Sequence, residues 1–365
     1  MKTSLLQIMP SNIRPIVTAN LVTILLASSQ AGLAAEASGE SPDSHELWLI
    51  SCREITTIAA ATRSFPKKLK AWRFDATSQK WQSVPQADYQ AATGVVKPTC
   101  FWIHGDRVEE DHAFEIGKTV YEEMVVKADS VAPVRFVIWS WPSAQEIHGR
   151  PVKDARIKAE RTNSASYCLG WTLNEVHPET PVSLVGFSFG ANVLSGAVDV
   201  IAGGDVCGYG IKLNNSRCAS RYQVVLMAAA MDCNALRPGG EHGQAMNRIS
   251  ELLLLNNYQD WVLRRYHRLN KGSGSQALGY AGLSLNGGLA DRQESVRQIN
   301  AGEYIGKQHG WANYVFTDEL MNEARRYAVD RLPHVARLGP AEGEPSGVIS
   351  TADASVTSRP VTETP

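Results

Sequence analysis

The chain has 365 residues, of which 44% are hydrophobic and 20% charged, and this composition is sufficient to bury a large core. The formal net charge is −1, so no overall field favours nucleic acid or an anionic membrane surface. The sequence has no internal repeat, no internal linker and no basic run with interleaved aromatic residues, which favours one large domain between two terminal segments.

The first 35 residues have the pattern of an export signal. Lys2 is basic, residues 15–27 are apolar, and residues 28–37 are mostly small and contain two cleavage-like sites. Asn20 interrupts the apolar run, which is shorter than the roughly 20 residues that a membrane span needs. We therefore expect cleavage and an exported protein, periplasmic or secreted. The alternative is a membrane-tethered protein that retains this segment.

The segments on either side of the domain are expected to be disordered. Residues 36–44 are small and polar, and residues 339–365 are rich in Pro, Gly, Ser, Thr and Glu without any aromatic residue. Such segments cannot bury enough apolar surface to order themselves. The folded domain is therefore predicted between residues 45 and 338.

Apolar runs alternate with helical spacing throughout this domain. Strands are predicted at 47–51, 70–74, 80–84, 99–104, 133–139, 182–185, 222–229 and 252–255, the second and third as a hairpin. Helices are predicted at 111–127, 153–177 and 191–201. The later strands do not alternate apolar with polar residues, as expected for parallel strands covered on both faces. The pattern predicts an α/β fold with a doubly wound, mostly parallel sheet and helices on both faces.

Six cysteines, an even number, fit an exported protein with disulfides. The sequence favours a Cys207–Cys218 disulfide, because these residues bracket a polar Gly/Asn loop whose closure would stabilise the fold by about 2–3 kcal/mol. Other cysteines are expected to be buried thiols, and Cys100 at the start of a strand is an example. No C-x-x-C spacing is present, so zinc-ribbon and thioredoxin-like sites have no support.

The most informative motif runs from Gly186 to Gly190 and reads G-x-S-x-G between a predicted strand and a predicted helix. A sharp strand-to-helix turn strains its central residue and leaves no room for Cβ atoms at the flanking positions. The strained turn holds the serine hydroxyl where a base can reach it. Ser188 is therefore predicted to be a nucleophile; the alternative is a Gly-rich turn without chemistry.

A serine nucleophile needs a base to take its proton and a third group to orient that base. In a parallel sheet, these partners come from loops at the carboxyl ends of later strands. Asp260 follows the strand at 252–255 and is predicted to be the acid, with Asp232 as a competing acid and helix capping as its alternative role. His309, in a Gly-flanked loop, completes the chain order Ser, Asp, His and is predicted to be the base.

Attack on a carbonyl creates an oxyanion that needs backbone donors already in place. The amide of Phe189, directly after the nucleophile, is predicted to be one donor. The second is predicted to be the amide of Asp106, because Gly105 lets the chain turn close to the substrate. The Asp106 carboxylate would repel an oxyanion, so we expect it to point away or to pair with Arg107.

These residues resemble the α/β-hydrolase superfamily and, within it, a bacterial family of α/β hydrolases of unknown function. The resemblance covers about residues 45–335 and rests on four segments: 101–105 (FWIHG), 137–143 (VIWSWPS), 186–190 (GFSFG) and 257–260 (NYQD). It implies an α/β-hydrolase fold with Ser188 as nucleophile, Asp260 as orienting acid and His309 as base. It supplies no substrate.

The sequence predicts a serine hydrolase, esterase- or lipase-like, that acts on a small ester-like acyl substrate through an acyl-enzyme. No metal and no organic cofactor is implied, and no nucleic-acid partner is expected. The first alternative is a catalytically inactive binding or scaffold protein on the same fold. The second is a metal-dependent hydrolase whose ligands would be His104, Asp106, Asp111 and His112, although their spacing matches no zinc pattern.

Two segments near the predicted site have two interpretations each. Trp141 either walls a substrate pocket or covers the core between helix and sheet, the second being favoured. Residues 278–283 are Gly-rich and lie between Asp260 and His309 in the chain, so they form either a lid over the site or a connector.

Overall fold

The fold is built on one mostly parallel sheet. The computed structural model describes residues 44–128, 132–213, 221–269, 275–286 and 288–332, and nine strands in these ranges form the sheet. Its strand order is β3-β2-β1-β5-β4-β6-β7-β8-β9. The β1–β2 and β2–β3 pairs are antiparallel, and all other neighbours are parallel.

The strands are β1 (Glu46–Ser51), β2 (Lys70–Asp75), β3 (Lys80–Val84), β4 (Thr99–Ile103), β5 (Arg135–Ser140), β6 (Val182–Phe187), β7 (Tyr222–Met227), β8 (Ile249–Asn256) and β9 (Val296–Asn300). The α-helices are α1 (Ile58–Ser64), α2 (Gln86–Thr93), α3 (Glu110–Tyr121), α4 (Pro151–Glu175), α5 (Phe189–Ile201), α6 (Leu278–Ala281), α7 (Gly302–Ile305), α8 (Trp311–Val315) and α9 (Asp318–Arg325). π-helical turns at Glu122–Val126 and Arg326–Asp330 extend α3 and α9, and short 3₁₀ segments occur at Ala245–Asn247, Leu263–Arg268 and Ala290–Ser295.

Helices cover both faces of the sheet. On one face, α3 lies so close to β5 that a Cβ on Gly117 would come within 2.3 Å of the Ile138 side chain. On this same face, the Ser183 hydroxyl donates to the carbonyl of Ala328 at 2.6 Å. Ser183 and Ile138 share the face because Trp102 is in register with both Ile138 and Val185, and Val185 lies two residues after Ser183 in β6. Gly186 points to the opposite face, where it contacts α5. The predicted doubly wound α/β class is therefore confirmed.

The central strands form the core of the protein. Every residue of β4, β5, β6 and β7 is buried. Two interpretations left open by the sequence are decided here. Trp141 is fully buried, its indole N–H donates to the carbonyl of His104 at 2.8 Å, and its ring stacks on His104, so it belongs to the core. Residues 278–283 form a connector tied to the strand ends, because the amides of Leu278 and Gly279 donate to carbonyls after β7 and the Gly279 carbonyl accepts from the Asn257 amide.

The sequence predictions missed some elements. The strand β9 was not predicted, nor were the helices α1, α2, α6, α7 and α8. β9 reads Val-Arg-Gln-Ile-Asn and exposes Arg297 and Gln298, because it is the last strand of the sheet and pairs only with β8. Edge strands of this kind lack the continuous apolar run that identifies buried strands.

The predicted disulfide between Cys207 and Cys218 is not supported. Cys207 is an exposed free thiol, and Cys218 lies outside the described residues. The chain around Cys207 closes on itself instead, because the amides of Val206 and Tyr209 each donate to the other's carbonyl. Cys100 is a buried thiol as predicted, and burial raises its pKa to about 12.

The segments predicted at the two termini lie outside the described residues, apart from Ser44. They are the signal peptide at 1–35, the disordered segment at 36–44 and the disordered tail at 339–365. Within the described ranges, none of the helices combines the length and apolar character that a bilayer crossing requires.

A nearly buried ion-pair cluster fixes the amino-terminal ends of β1 and β5. The Glu46 carboxylate accepts from Arg135 at 2.8 Å, Lys97 at 2.7 Å and the Trp48 indole at 3.0 Å. Burial alone would raise the pKa of Glu46, but the charges of Arg135 and Lys97 outweigh it and lower that pKa to about 2. The cluster therefore stabilises the fold as long as Glu46 is ionised.

We predict that Glu46→Gln lowers the free energy of unfolding near pH 7 by about 3 kcal/mol, because it leaves the buried Arg135 guanidinium without its counter-charge. A lowered carboxyl pKa adds stability above the unfolded value of 4.5 and loses it as the pH falls towards 2. The difference in unfolding free energy between the parent and Glu46→Gln, measured by urea unfolding, should therefore shrink as the pH falls from 4.5 towards 2. Glu54→Gln, which removes an exposed partner of Lys70, is the control and should change little. An equal loss at every pH would contradict this account.

Candidate active site

Ser188 lies at the tip of a tight turn between β6 and α5. Its backbone has φ 54° and ψ −120°, a conformation that residues with a side chain rarely adopt. Hydrogen bonds hold the turn in place. The Ser188 amide donates to the carbonyl of Met227 at 2.9 Å, and the Ser188 carbonyl accepts from the amides of Ala191 and Ala230 at 3.1 Å each. The predicted strain at this residue is present.

The two glycines of the motif are required by close backbone approach. A Cβ on Gly186 would lie 2.8 Å from the Ala191 backbone. A Cβ on Gly190 would lie 2.1 Å from the carbonyl oxygen of Ile103 at the end of β4. Both distances are far below van der Waals contact, so the prediction that these positions admit no side chain is confirmed.

The structure brings Ser188, His309 and Asp260 into one hydrogen-bonded chain. The Ser188 Oγ lies 3.1 Å from His309 Nε2, and His309 Nδ1 lies 2.6 Å from Asp260 Oδ2. Because a carboxylate can only accept, Nδ1 carries the shared proton and Nε2 presents its lone pair to the serine hydroxyl. Asp260 is fully buried and the His309 side chain is 17% exposed, so the imidazole is the member that solvent reaches most easily.

Asp260 holds its position through its second oxygen. Its Oδ1 accepts from the amides of Val262 at 2.8 Å and Leu263 at 3.0 Å, so it also caps the 3₁₀ segment that begins at Leu263. Capping and orienting the histidine therefore coexist. The competing acid, Asp232, instead accepts from the Asn234 amide at 2.8 Å in the loop after β7.

The two predicted oxyanion donors lie beside the serine. Phe189 is the first residue of α5, where amides have no partner inside the helix. Gly105, which precedes Asp106, comes close to the turn, since a Cβ there would lie 3.1 Å from Ser188 Cβ. Among the described residues, neither the Phe189 nor the Asp106 amide takes part in a backbone hydrogen bond of a turn, loop or cap.

The Asp106 carboxyl group lies in a charged cluster behind this loop. Its Oδ2 is 3.8 Å from Arg107 Nε, and that nitrogen is 3.7 Å from Asp154 Oδ2. Asp154 in turn forms a fully buried ion pair with Lys158 at 2.8 Å. Asp106 thus pairs with Arg107, one of the two outcomes expected from the sequence. Burial raises its pKa to about 6 in spite of Arg107, and its Oδ1 has no hydrogen-bond partner within the described residues.

We predict that Asp106→Asn stabilises the protein above about pH 6. A carboxyl group with a raised folded-state pKa contributes stability below its unfolded value of 3.8 and loses it as the pH rises through about 6. The variant should therefore unfold at a higher temperature than the parent at pH 8 and show no gain at pH 4. Thermal unfolding across this range is the measurement, with the exposed Asp88→Asn as control. A gain that is the same at pH 4 and pH 8 would rule out this explanation.

The four candidate metal ligands of the alternative prediction are not gathered around one point. Both ring nitrogens of His104 have protein partners: Nε2 faces the Trp141 amide at 3.4 Å, and Nδ1 faces the Gly105 carbonyl at 3.0 Å. His112 is exposed on α3. The described ranges contain no group of three or more His, Cys, Asp or Glu residues placed to hold a metal ion. His104 braces the loop that precedes Asp106.

The sequence reasoning gave no role to Asn257, whose buried side chain contacts the loop that carries His309. The sequence pointed to Asn257 only through the segment 257–260, one of the four on which the family resemblance rests, and in that segment a role was assigned to Asp260 alone.

Comparisons with known proteins return similar structures only. No protein-family model and no curated protein matches the sequence. An acetylxylan esterase is 11% identical, with a TM-score of 0.33 over 64% of this chain and 100% of that one. Esterase B from Lactobacillus rhamnosis is 11% identical, with a TM-score of 0.36 over 85% and 95%. An esterase from Pyrobaculum calidifontis is 13% identical, with a TM-score of 0.33 over 75% and 82%. At these values the likeness carries no functional argument.

Proposed function

We propose that this protein is a serine hydrolase of the α/β-hydrolase superfamily that cleaves an ester-like acyl substrate of small size. The observation that carries the proposal is the hydrogen-bonded chain from Ser188 through His309 to Asp260. Its members are 121 and 49 positions apart in sequence, so the tertiary fold alone creates the contact. A strained nucleophile, a base and an orienting acid in this order are what acyl transfer from a serine requires.

In the first half of the proposed reaction, Ser188 Oγ attacks the carbonyl carbon of the ester. His309 Nε2 takes the hydroxyl proton as the new bond forms, and the Asp260 carboxylate stabilises the resulting imidazolium. The substrate oxygen becomes an oxyanion that accepts from the amides of Phe189 and Asp106. When the intermediate collapses, the alcohol leaves with the proton held by His309, and the acyl group remains on Ser188.

In the second half, water releases the acyl group. His309 Nε2 takes a proton from the water molecule, whose oxygen attacks the acyl carbonyl carbon. The same two amides bind the second oxyanion, and its collapse returns the proton to Ser188 Oγ and frees a carboxylic acid. Each step uses only groups of this chain and water.

We also propose export to the periplasm or the medium, on the strength of the signal-like pattern in residues 1–35. The partner we propose is a small acyl substrate. The near-zero net charge gives no reason to expect a nucleic-acid partner.

We predict that a fluorophosphonate probe labels the protein and that Ser188→Ala abolishes this labelling. The probe phosphonylates only an activated serine, whose oxygen displaces fluoride from the phosphorus, so an inert Gly-rich turn would not react. Ser195→Ala removes another buried serine of α5 and is the matched control, which should label like the parent. Hydrolysis of chromogenic esters with acyl chains of increasing length, measured in the same three proteins, should follow the labelling and show which chain length is preferred.

Two results would count against the proposal. If the parent protein neither reacts with the probe nor hydrolyses any ester, the fold serves as an inactive binding or scaffold protein. If Ser188→Ala labels and hydrolyses like the parent, the nucleophile lies elsewhere.

A further inference from the structure

Asn256 is the last residue of β8 and Asn257 directly follows it, and both are almost completely buried. Asn256 and Asn257 are 1% and 0% exposed. Burial of an amide side chain is costly unless its donors and acceptor are satisfied, so each of these residues needs specific partners. Their partners differ: Asn256 contacts the neighbouring strand, and Asn257 contacts the loop that carries His309.

Asn256 serves the sheet. Its Nδ2 donates to Gln298 Oε1 at 3.0 Å on the neighbouring strand β9. Gln298 also accepts from the Leu283 amide at 2.8 Å and donates to the Leu283 carbonyl at 2.9 Å. These contacts tie the edge strand to the connector and do not involve the triad.

Asn257 serves the loop that carries His309. Its Nδ2 donates to the carbonyls of Gly306 at 2.8 Å and Gln308 at 3.0 Å, which bracket Lys307. Its Oδ1 accepts from the Gln259 amide at 2.9 Å and thereby shapes the turn that leads into Asp260. One side chain thus connects the segment of the acid to the segment of the base.

This loop has little else to define it. It lies between the end of α7 at Ile305 and the start of α8 at Trp311, and Gly306 has a positive φ of 59°. Its other backbone hydrogen bonds among the described residues include two long ones, from the Trp261 amide to the Lys307 carbonyl and from the Gln308 amide to the Ile305 carbonyl, both at 3.4 Å. The Gly306 amide also donates to the Gly302 carbonyl at 3.0 Å, which closes the end of α7. A carboxylate that contacts only Nδ1 fixes the ring's orientation, but the position of the loop sets the distance from Nε2 to Ser188.

We propose that Asn257 is a positioning residue for catalysis, whose two donated hydrogen bonds hold the His309 loop at the distance that Ser188 requires. This inference rests on the proposed function, since it assigns a role within the same triad. A displacement of about 1 Å in such a site is enough to cost roughly 100-fold in rate. Asn257 holds the main chain of the loop, not the imidazole itself.

Asn257→Asp tests this inference. The substitution keeps the size and the acceptor of the side chain, but it removes both N–H donors and turns a carboxylate towards two carbonyl oxygens. We expect the rate of fluorophosphonate capture and kcat for a chromogenic ester to fall about 10- to 100-fold, with KM changed less than about twofold. Asn256→Asp is the matched control, an identical change one residue earlier, and should keep both rates within about threefold.

A second variant and a stability measurement separate positioning from folding. Asn257→Ser leaves a small neutral side chain and covers the case in which the aspartate variant does not fold. Thermal unfolding of each variant identifies the folded ones, and rates are measured well below each transition. A folded Asn257 variant with the parent's capture rate and kcat would overturn the inference. So would equal losses in the Asn256 and Asn257 variants.

The parent protein distinguishes this failure from that of the proposed function. If the parent reacts with the probe through Ser188 and the Asn257 variants react equally fast, only the role of Asn257 is wrong. If the parent itself shows neither capture nor turnover, the proposed function fails, and the role of Asn257 fails with it.

Discussion

The close approach of α5 to the end of β4 is the constraint on which the site depends. Gly190 has no room for a side chain because the carbonyl of Ile103 occupies that space. This contact forces the chain to turn within one residue after β6, and Ser188 therefore takes a positive φ. The same contact places the loop after β4, with Gly105 and Asp106, beside the serine. The proposed nucleophile and the proposed oxyanion donors thus lie together because α5 packs closely on the end of β4.

The strain at Ser188 is offset by ordinary backbone hydrogen bonds. Its amide bonds to the end of β7, and its carbonyl accepts from α5 and from the loop after β7. These partners belong to the neighbouring strand, its following loop and the helix, so regular elements of the sheet hold the turn. His309 lies instead on a loop between two short helices, and the Asn257 side chain donates to two carbonyls of that loop. The proposed role of Asn257 therefore concerns His309 and not Ser188.

Sequence reasoning performed best where a residue's environment is set by its immediate neighbours. The G-x-S-x-G turn and the buried strands are local patterns, and their elements lie where they were predicted to within a few residues. The edge strand β9 was not predicted, because it pairs with one strand only and so lacks the continuous apolar run of a buried strand. The Cys207–Cys218 disulfide is not supported: Cys207 is an exposed thiol in a turn that the backbone hydrogen bonds between Val206 and Tyr209 close.

The predictions about the site show the same division. Asp260 and His309 could be selected because their chain order and their places after strands limit the choices. The role of Asn257 could not be selected, because its contacts reach 49 and 51 positions along the chain to carbonyl groups that carry no sequence signal. The cluster around Asp106 and Asp154 also depends on burial, which the sequence near Gly105 does not reveal.

The hydrogen bond from His309 Nδ1 to Asp260 directs Nε2 at Ser188 and is the contact on which the proposed chemistry depends. Proton NMR of the parent protein in water tests this hydrogen bond most directly, because a short hydrogen bond between imidazole and carboxylate shifts its proton far downfield. We expect such a resonance in the parent and in Asp232→Asn, and its loss in Asp260→Asn and His309→Gln. A downfield resonance that survives Asp260→Asn but disappears in Asp232→Asn would show that Asp260 is not the partner of His309.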